Sequence, residues 1–172
     1  MNLVGDLASL FGRDLSKMLE QVRAFPTEEA LWETPPGITN SAGTLALHID
    51  GNLREYIGRQ LGGVRYIRDR PGEFSARGVS RDVLIARMVE LCALIPSILA
   101  GLSEAQLEAI HPEPVFDAPM QTGWFLLHLY GHLNWHRGQL DYLRRIVVNR
   151  QSSASSFGVE EPRASPVHRI LP

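Results

Sequence analysis

Apolar positions recur at helical spacing in four long stretches, and no convincing strand alternation lies between them. The first covers roughly 3–24, with Leu3, Leu7, Leu10, Phe11, Leu15, Met18, Leu19 and Val22 on one side before Pro26 closes it. A short turn follows around 28–33, and the run from Thr34 to Asn40 is a loop by composition. Asn40 and Ser41, both good N-cap residues, open a second helix that runs to about Leu61, before Gly62-Gly63. Its apolar side carries Leu45, Ile49, Leu53, Tyr56 and Ile57. Residues 63–79 are rich in Arg, Asp and Gly and read as an extended connection. A loop that long in a bundle is either functional or ordered by packing.

Ser80 and Asp82 start the third helix, with a stripe of Leu84, Met88, Leu91, Ile95, Ile98 and Leu102. Pro96 lies inside that stripe and predicts a kink or a division, because it has no amide hydrogen and crowds the preceding turn. Ser103 and Gln106 have the spacing of a capping box. Pro112, Pro114 and Pro119 then hold 111–120 irregular, and Thr122 is a candidate cap for a fourth helix that continues to about Val148. Four amphipathic helices with long connections predict an all-α four-helix bundle over residues 1–150. The Ser- and Pro-rich stretch 151–172 is expected to be a loosely packed tail.

Composition narrows the picture mainly by exclusion. The formal charge of −2 and the lack of any basic run argue against nucleic acid as a partner. One cysteine, Cys92, leaves no internal disulfide, and its place beside Leu91 suits a small buried side chain better than a nucleophile. Asp6 and Arg13 interrupt the N-terminal stretch before a signal core forms, and no run approaches membrane-spanning length. A soluble, cytoplasmic protein with no membrane partner is the expectation.

Histidines carry the candidate chemistry. Three of the six fall within LLHLYGHLNWHRGQL, at His128, His132 and His136. A step of four residues turns only about 40° around an α-helix, so all three imidazoles line one side of the fourth helix. His128 and His136 stand roughly 12 Å apart along the axis, far too distant to share an ion at metal–nitrogen bonds of about 2.0–2.1 Å. One adjacent pair must therefore combine with a donor from elsewhere. His48 is that donor, on the second helix beside its apolar stripe, with Leu45 and Asn52 as its neighbours on that side. Three histidines with open positions is the arrangement of a catalytic rather than a closed zinc site. The competing reading is three separate core histidines, each hydrogen-bonded in place.

Two segments resemble a known family. GHLNWHRGQLDYLRR (131–145) is similar to the last-helix motif of the DinB/YfiT-like superfamily, in which two histidines four apart precede Arg-Gly-Gln. NSAGTLALHIDGNLREYI (40–57) resembles that superfamily's second helix. The likeness spans roughly 3–148. It implies a bundle with up-down-down-up connections, often a homodimer, and assigns the metal to His48, His132 and His136, with His128 one turn too early. It implies one divalent ion as cofactor, zinc or nickel first and iron or manganese next. It also implies, for some relatives, metal-dependent transfer or isomerisation with low-molecular-weight thiols such as mycothiol or bacillithiol.

On that footing the expected activity is a thiol (S-)transferase acting on a small electrophile. The alternatives are a metal–water hydrolase, or a non-catalytic dimeric metal-binding or stress-related module. Asn52 and Gln139, four and three residues beyond His48 and His136, are candidates to accept the imidazole N–H groups that face away from the ion. Ordinary helix hydrogen bonding competes with that role at both positions, as ion pairing does with anion binding at Arg137.

Overall fold

The structure, a computed structural model, describes residues 2–116 and 118–148. The expected 151–172 tail lies outside the described residues. Within them the chain is helical: α1 (Leu3–Arg23), α2 (Glu28–Trp32), α3 (Ala42–Leu53), α4 (Arg70–Ser75), α5 (Arg81–Ala100), α6 (Glu104–Glu108) and α7 (Thr122–Val148). The only pairing outside helices among these residues is one isolated bridge between Ile110 and Gln121.

Local sequence fixes most of the helix starts. The side chains of Asn2, Thr27, Ser41, Asp69, Ser80 and Ser103 each accept a hydrogen bond from a backbone amide of the first turn. Ser103 and Gln106 form the full reciprocal box. The second expected helix is regular only to Leu53. From Arg54 to Arg59 it continues in π geometry, with Gly62 N–H reaching back to the Ile57 carbonyl.

Pro96 does not divide α5, which runs unbroken from Arg81 to Ala100. Gly12 on α1 makes room for the proline ring: a Cβ there would stand 3.2 Å from Pro96 Cγ. α5 is also the one described helix long and apolar enough to cross a membrane by composition, contrary to the expectation that no run comes near that length. It is a bundle helix nonetheless. Leu84, Met88, Leu91, Ile95 and Leu99 pack into the core, and Arg87 pairs with the buried Asp50.

α3 is the central element, with all twelve of its residues buried. A helix covered on every side positions its side chains by packing on all of them. The contacts give the directions of its neighbours. α1 and α7 advance together, from Asp14–Tyr130 to Gln21–Arg144. α3 runs against α7: Tyr56 meets Phe125 at one end, and Leu45 shares a groove with Tyr142 at the other. The core between them holds Phe11, Leu15, Met18, Ile49, Leu53, Leu126, Leu129 and Leu133, each essentially without exposure.

Candidate metal centre

α3 and α7 bring three imidazoles to one point. His132 and His136 stand one turn apart on α7, and His48 projects from the middle of α3. His132 Nε2 lies 3.2 Å from His48 Nε2 and 3.0 Å from His136 Nε2. Ligand atoms of all three residues fall within 4.8 Å of one another. Nitrogens around a tetrahedral ion with bonds of 2.0–2.1 Å stand about 3.3 Å apart, so the two shorter separations are those of a metal-binding set.

The outward nitrogens decide which way the inner ones are protonated. His48 Nδ1 donates to Glu73 Oε2 at 2.9 Å, and His136 Nδ1 donates to Gln139 Oε1 at 2.7 Å. With those hydrogens on Nδ1, the neutral rings of His48 and His136 turn bare Nε2 lone pairs towards His132. His132 carries one ring hydrogen and can satisfy one of them in a linear bond, not both. Its own Nδ1 is buried without a protein partner. Three converging nitrogen acceptors with at most one hydrogen among them form a cluster that a cation completes. The donor set fits a divalent metal.

Electrostatics hold His132 and His136 in their neutral, ligand form. Burial first, then repulsion from His136 and His48, holds the His132 pKa down at about 3. His136 is lowered as well, chiefly by burial, although its bond to Gln139 works the other way. Glu73 feels the cost of burial most. Hydrogen bonds from Arg68 and His48 outweigh that cost and hold its pKa below the usual glutamate value. Neutral imidazoles flanked by an ionised carboxylate are what a metal requires.

His128, the third member of the α7 run, lies elsewhere. Its ring stacks on Trp124 and meets Phe116 and Phe125, with centroids 5.3–6.0 Å away. Asn52 is buried one turn beyond His48, with its Oδ1 lacking a protein partner and no bond to the His48 ring. Arg137 is ion-paired with the fully buried Asp14, which also accepts from Arg13 and from Tyr130 Oη at 2.6 Å. Cys92 is half-buried on α5, and burial pushes its pKa up, away from thiolate character.

Sequence reasoning missed Glu73, Arg68, Phe74 and Gly51. The connection 63–79 is not simply extended. α4 forms within it behind Asp69 and Pro71, and it puts Glu73 on His48 and Phe74 against the same ring at 4.8 Å. An Asp followed by a proline two residues on is a helix-start signal that could have been read.

A helical bundle whose central and last helices offer three converging histidines defines a class of fold and site, and comparison with known proteins narrows it. The model of the DinB superfamily matches residues 10–140, and the chain belongs to that superfamily. A DinB-like protein from Bacillus cereus ATCC 10987, of known crystal structure, is similar in fold at TM-score 0.60 and 21% identity. That match covers 78% of this chain and 86% of the other. A conserved protein from Enterococcus faecalis is similar at TM-score 0.71 and 17% identity, over 87% of this chain and 99% of its own. No curated protein matches.

Proposed function

We propose that the protein holds one divalent metal ion, zinc or nickel before iron or manganese, through Nε2 of His48, His132 and His136. We propose further that it acts as a metal-dependent S-transferase, joining a low-molecular-weight thiol to a small electrophile. The observation that carries the reading is the convergence of three Nε2 atoms, two of them, on His48 and His136, left as acceptors by the bonds their Nδ1 atoms make. A bound divalent ion supplies Lewis acidity, lowering the pKa of a thiol or water placed against it.

The chain's own residues divide the remaining work. Glu73 and Gln139 hold two of the rings in the ligating tautomer. Gln139 also lines a groove of about 410 Å³ with Ile38, Leu45, Tyr142, Leu143 and Ile146, and its bond to His136 Nδ1 is the link that makes this partly apolar groove our candidate berth for a small electrophile. Both oxygens of Glu73 are engaged, by His48 and by Arg68. It is therefore not free to take a proton from water, which favours a thiol nucleophile over the hydrolase alternative. The S–H proton would pass to solvent when the thiol binds, and the thiolate would form the S–C bond as the electrophile's leaving group, chloride for a chlorodinitrobenzene, departs with the electron pair of the broken bond. This reading sets the protein in the cytoplasm, where small thiols are kept reduced.

Cobalt substitution tests the assignment. Added thiol should shift the visible spectrum of the cobalt protein, and thiol with an electrophile such as a chlorodinitrobenzene should give conjugate. A spectrum indifferent to thiol, on a protein that binds one ion tightly, supports the non-catalytic module instead.

For the homodimer that the family resemblance implies, we propose a surface on α7. Trp124, Trp135 and Tyr142 are 55%, 68% and 68% exposed on one face, flanked by the exposed Leu127 and Ile146. The three rings alone present on the order of 300–450 Å² at 150–250 Å² per ring, within the range of the largest patch on a typical monomer and about half of one side of a standard interface. Gly131 and Gly138 lie between them with open space above, so the face offers both protrusions and hollows, as a two-fold contact requires. We assign it to a second copy of the chain. Light scattering should give twice the chain mass for the wild type and a monomer for Trp135→Glu. A monomeric wild type overturns the assignment.

A further inference from the structure

We infer that Glu73, carried into the bundle on the crossover between α3 and α5, is the positioning residue of the histidine cluster, fixing the ring of His48 so that Nε2 faces the ion. The inference rests on the metal-binding reading above.

Four observations bear on it. Glu73 Oε2 accepts from His48 Nδ1 at 2.9 Å, which assigns the other nitrogen to the site. Glu73 is only 6% exposed, and a carboxylate so placed is costly unless its lone pairs are met. Arg68 meets them with two bonds, of 2.7 and 2.9 Å, the longer to the same Oε2 that takes the histidine hydrogen. Third, α3 is hollowed to receive the carboxylate: a Cβ on Gly51 would overlap it. A glycine within a helix is destabilising relative to alanine, a cost that this berth explains. Finally, Phe74 packs against the His48 ring at 4.8 Å, so α4 holds that imidazole at its edge and across its face.

A purely structural alternative has Glu73 present only to pair with Arg68 and pin the crossover. The two roles differ in what they predict for metal. If Glu73 positions His48, its removal weakens the ion, and by reciprocity the ion tightens the docking of α4. A structural pin affects neither.

The test uses the full chain. Zinc affinity is measured by chelator competition for wild type, Glu73→Ala and Glu73→Gln, with amide exchange of residues 69–76 followed with and without zinc. Glu73→Ala is expected to bind about 10–100-fold more weakly, the usual effect of losing such a partner. Glu73→Gln, which keeps the volume and an acceptor oxygen but not the charge, should lose about 3–10-fold and guards against failure of the alanine variant to fold. Exchange in 69–76 should slow on adding zinc to the wild type and not to Glu73→Ala. Wild-type affinity in both variants, or exchange indifferent to zinc in the wild type, overturns the inference and leaves the metal site standing. A wild type that takes up no zinc overturns both.

Discussion

Two of the polar clusters buried among the described residues are built on opposite terms. Around Asp14, between α1 and α7, one fully buried carboxylate faces Arg13, Arg137 and the Tyr130 hydroxyl, and donors and acceptor match. Around His132, between α3 and α7, acceptors face acceptors, and one imidazole nitrogen has no partner. The first cluster is complete without a ligand, and its contribution is to hold two helices in register. The second leaves nitrogens open that a cation can meet, which is the basis of the proposed metal site. Burial and polarity alone do not separate a structural network from a site; the donor and acceptor count does.

That contrast is sharpest on losing a member of each cluster. His132→Ala should abolish tight metal binding, with a loss beyond the 100-fold upper end for outer partners, while circular dichroism keeps its helical signal. Asp14→Ala should do the reverse, leaving metal affinity unchanged and lowering stability by about 2–3 kcal/mol in denaturant unfolding. That figure is below the full cost for a wholly buried pair because both guanidinium groups reach solvent.

Acid should expose the same division. Burial works to raise the Asp14 pKa, but the bonds from Arg13 and Tyr130 and the charge of Arg137 prevail and lower it below 3.8. Because the folded value lies below the unfolded one, this stabilisation is fully present above about pH 4. It is lost as pH falls through the folded pKa. Asp14→Asn should flatten that acid limb in a pH series of unfolding midpoints; an unchanged limb would show that Asp14 does not hold the helices as described.

Smaller effects follow at the edges of the histidine cluster. Gln139→Ala removes the acceptor on His136 Nδ1 and should weaken zinc about tenfold by chelator competition. His128→Ala should change zinc affinity less than twofold. It should cost about 0.5–1 kcal/mol of stability through its stacking on Trp124. A large loss of metal at His128 would contradict the choice of ligands.

The helices were legible because their signals are local. Caps at Ser41, Ser80 and Ser103, and the stripe on α7, depend on neighbours three or four residues away. The pairing of His48 with two α7 histidines was accessible once the periodicity put each on an inward side, though spacing alone left the pair on α7 undecided. Of the kink or division expected at Pro96 the division does not occur, and the packing of its ring beside Gly12 was hidden because that glycine lies on another helix. Glu73 was hidden for the same reason. Its histidine partner is 25 residues upstream and its berth is a glycine, so the local signals at Asp69 and Pro71 mark a helix start but not the contact with His48. Asn52 had the right spacing from His48, yet at four residues along the same helix it makes no bond to that ring, whereas Gln139 reaches His136 from three.

The most direct test of the account is the metal content of the purified protein by elemental analysis, after reconstitution with zinc or nickel, beside His132→Ala treated identically. One ion per chain in the wild type and none in the variant, with equal helicity, is the predicted result. A wild type that holds no metal after reconstitution would contradict it, and the three histidines would then be core residues of a non-catalytic bundle.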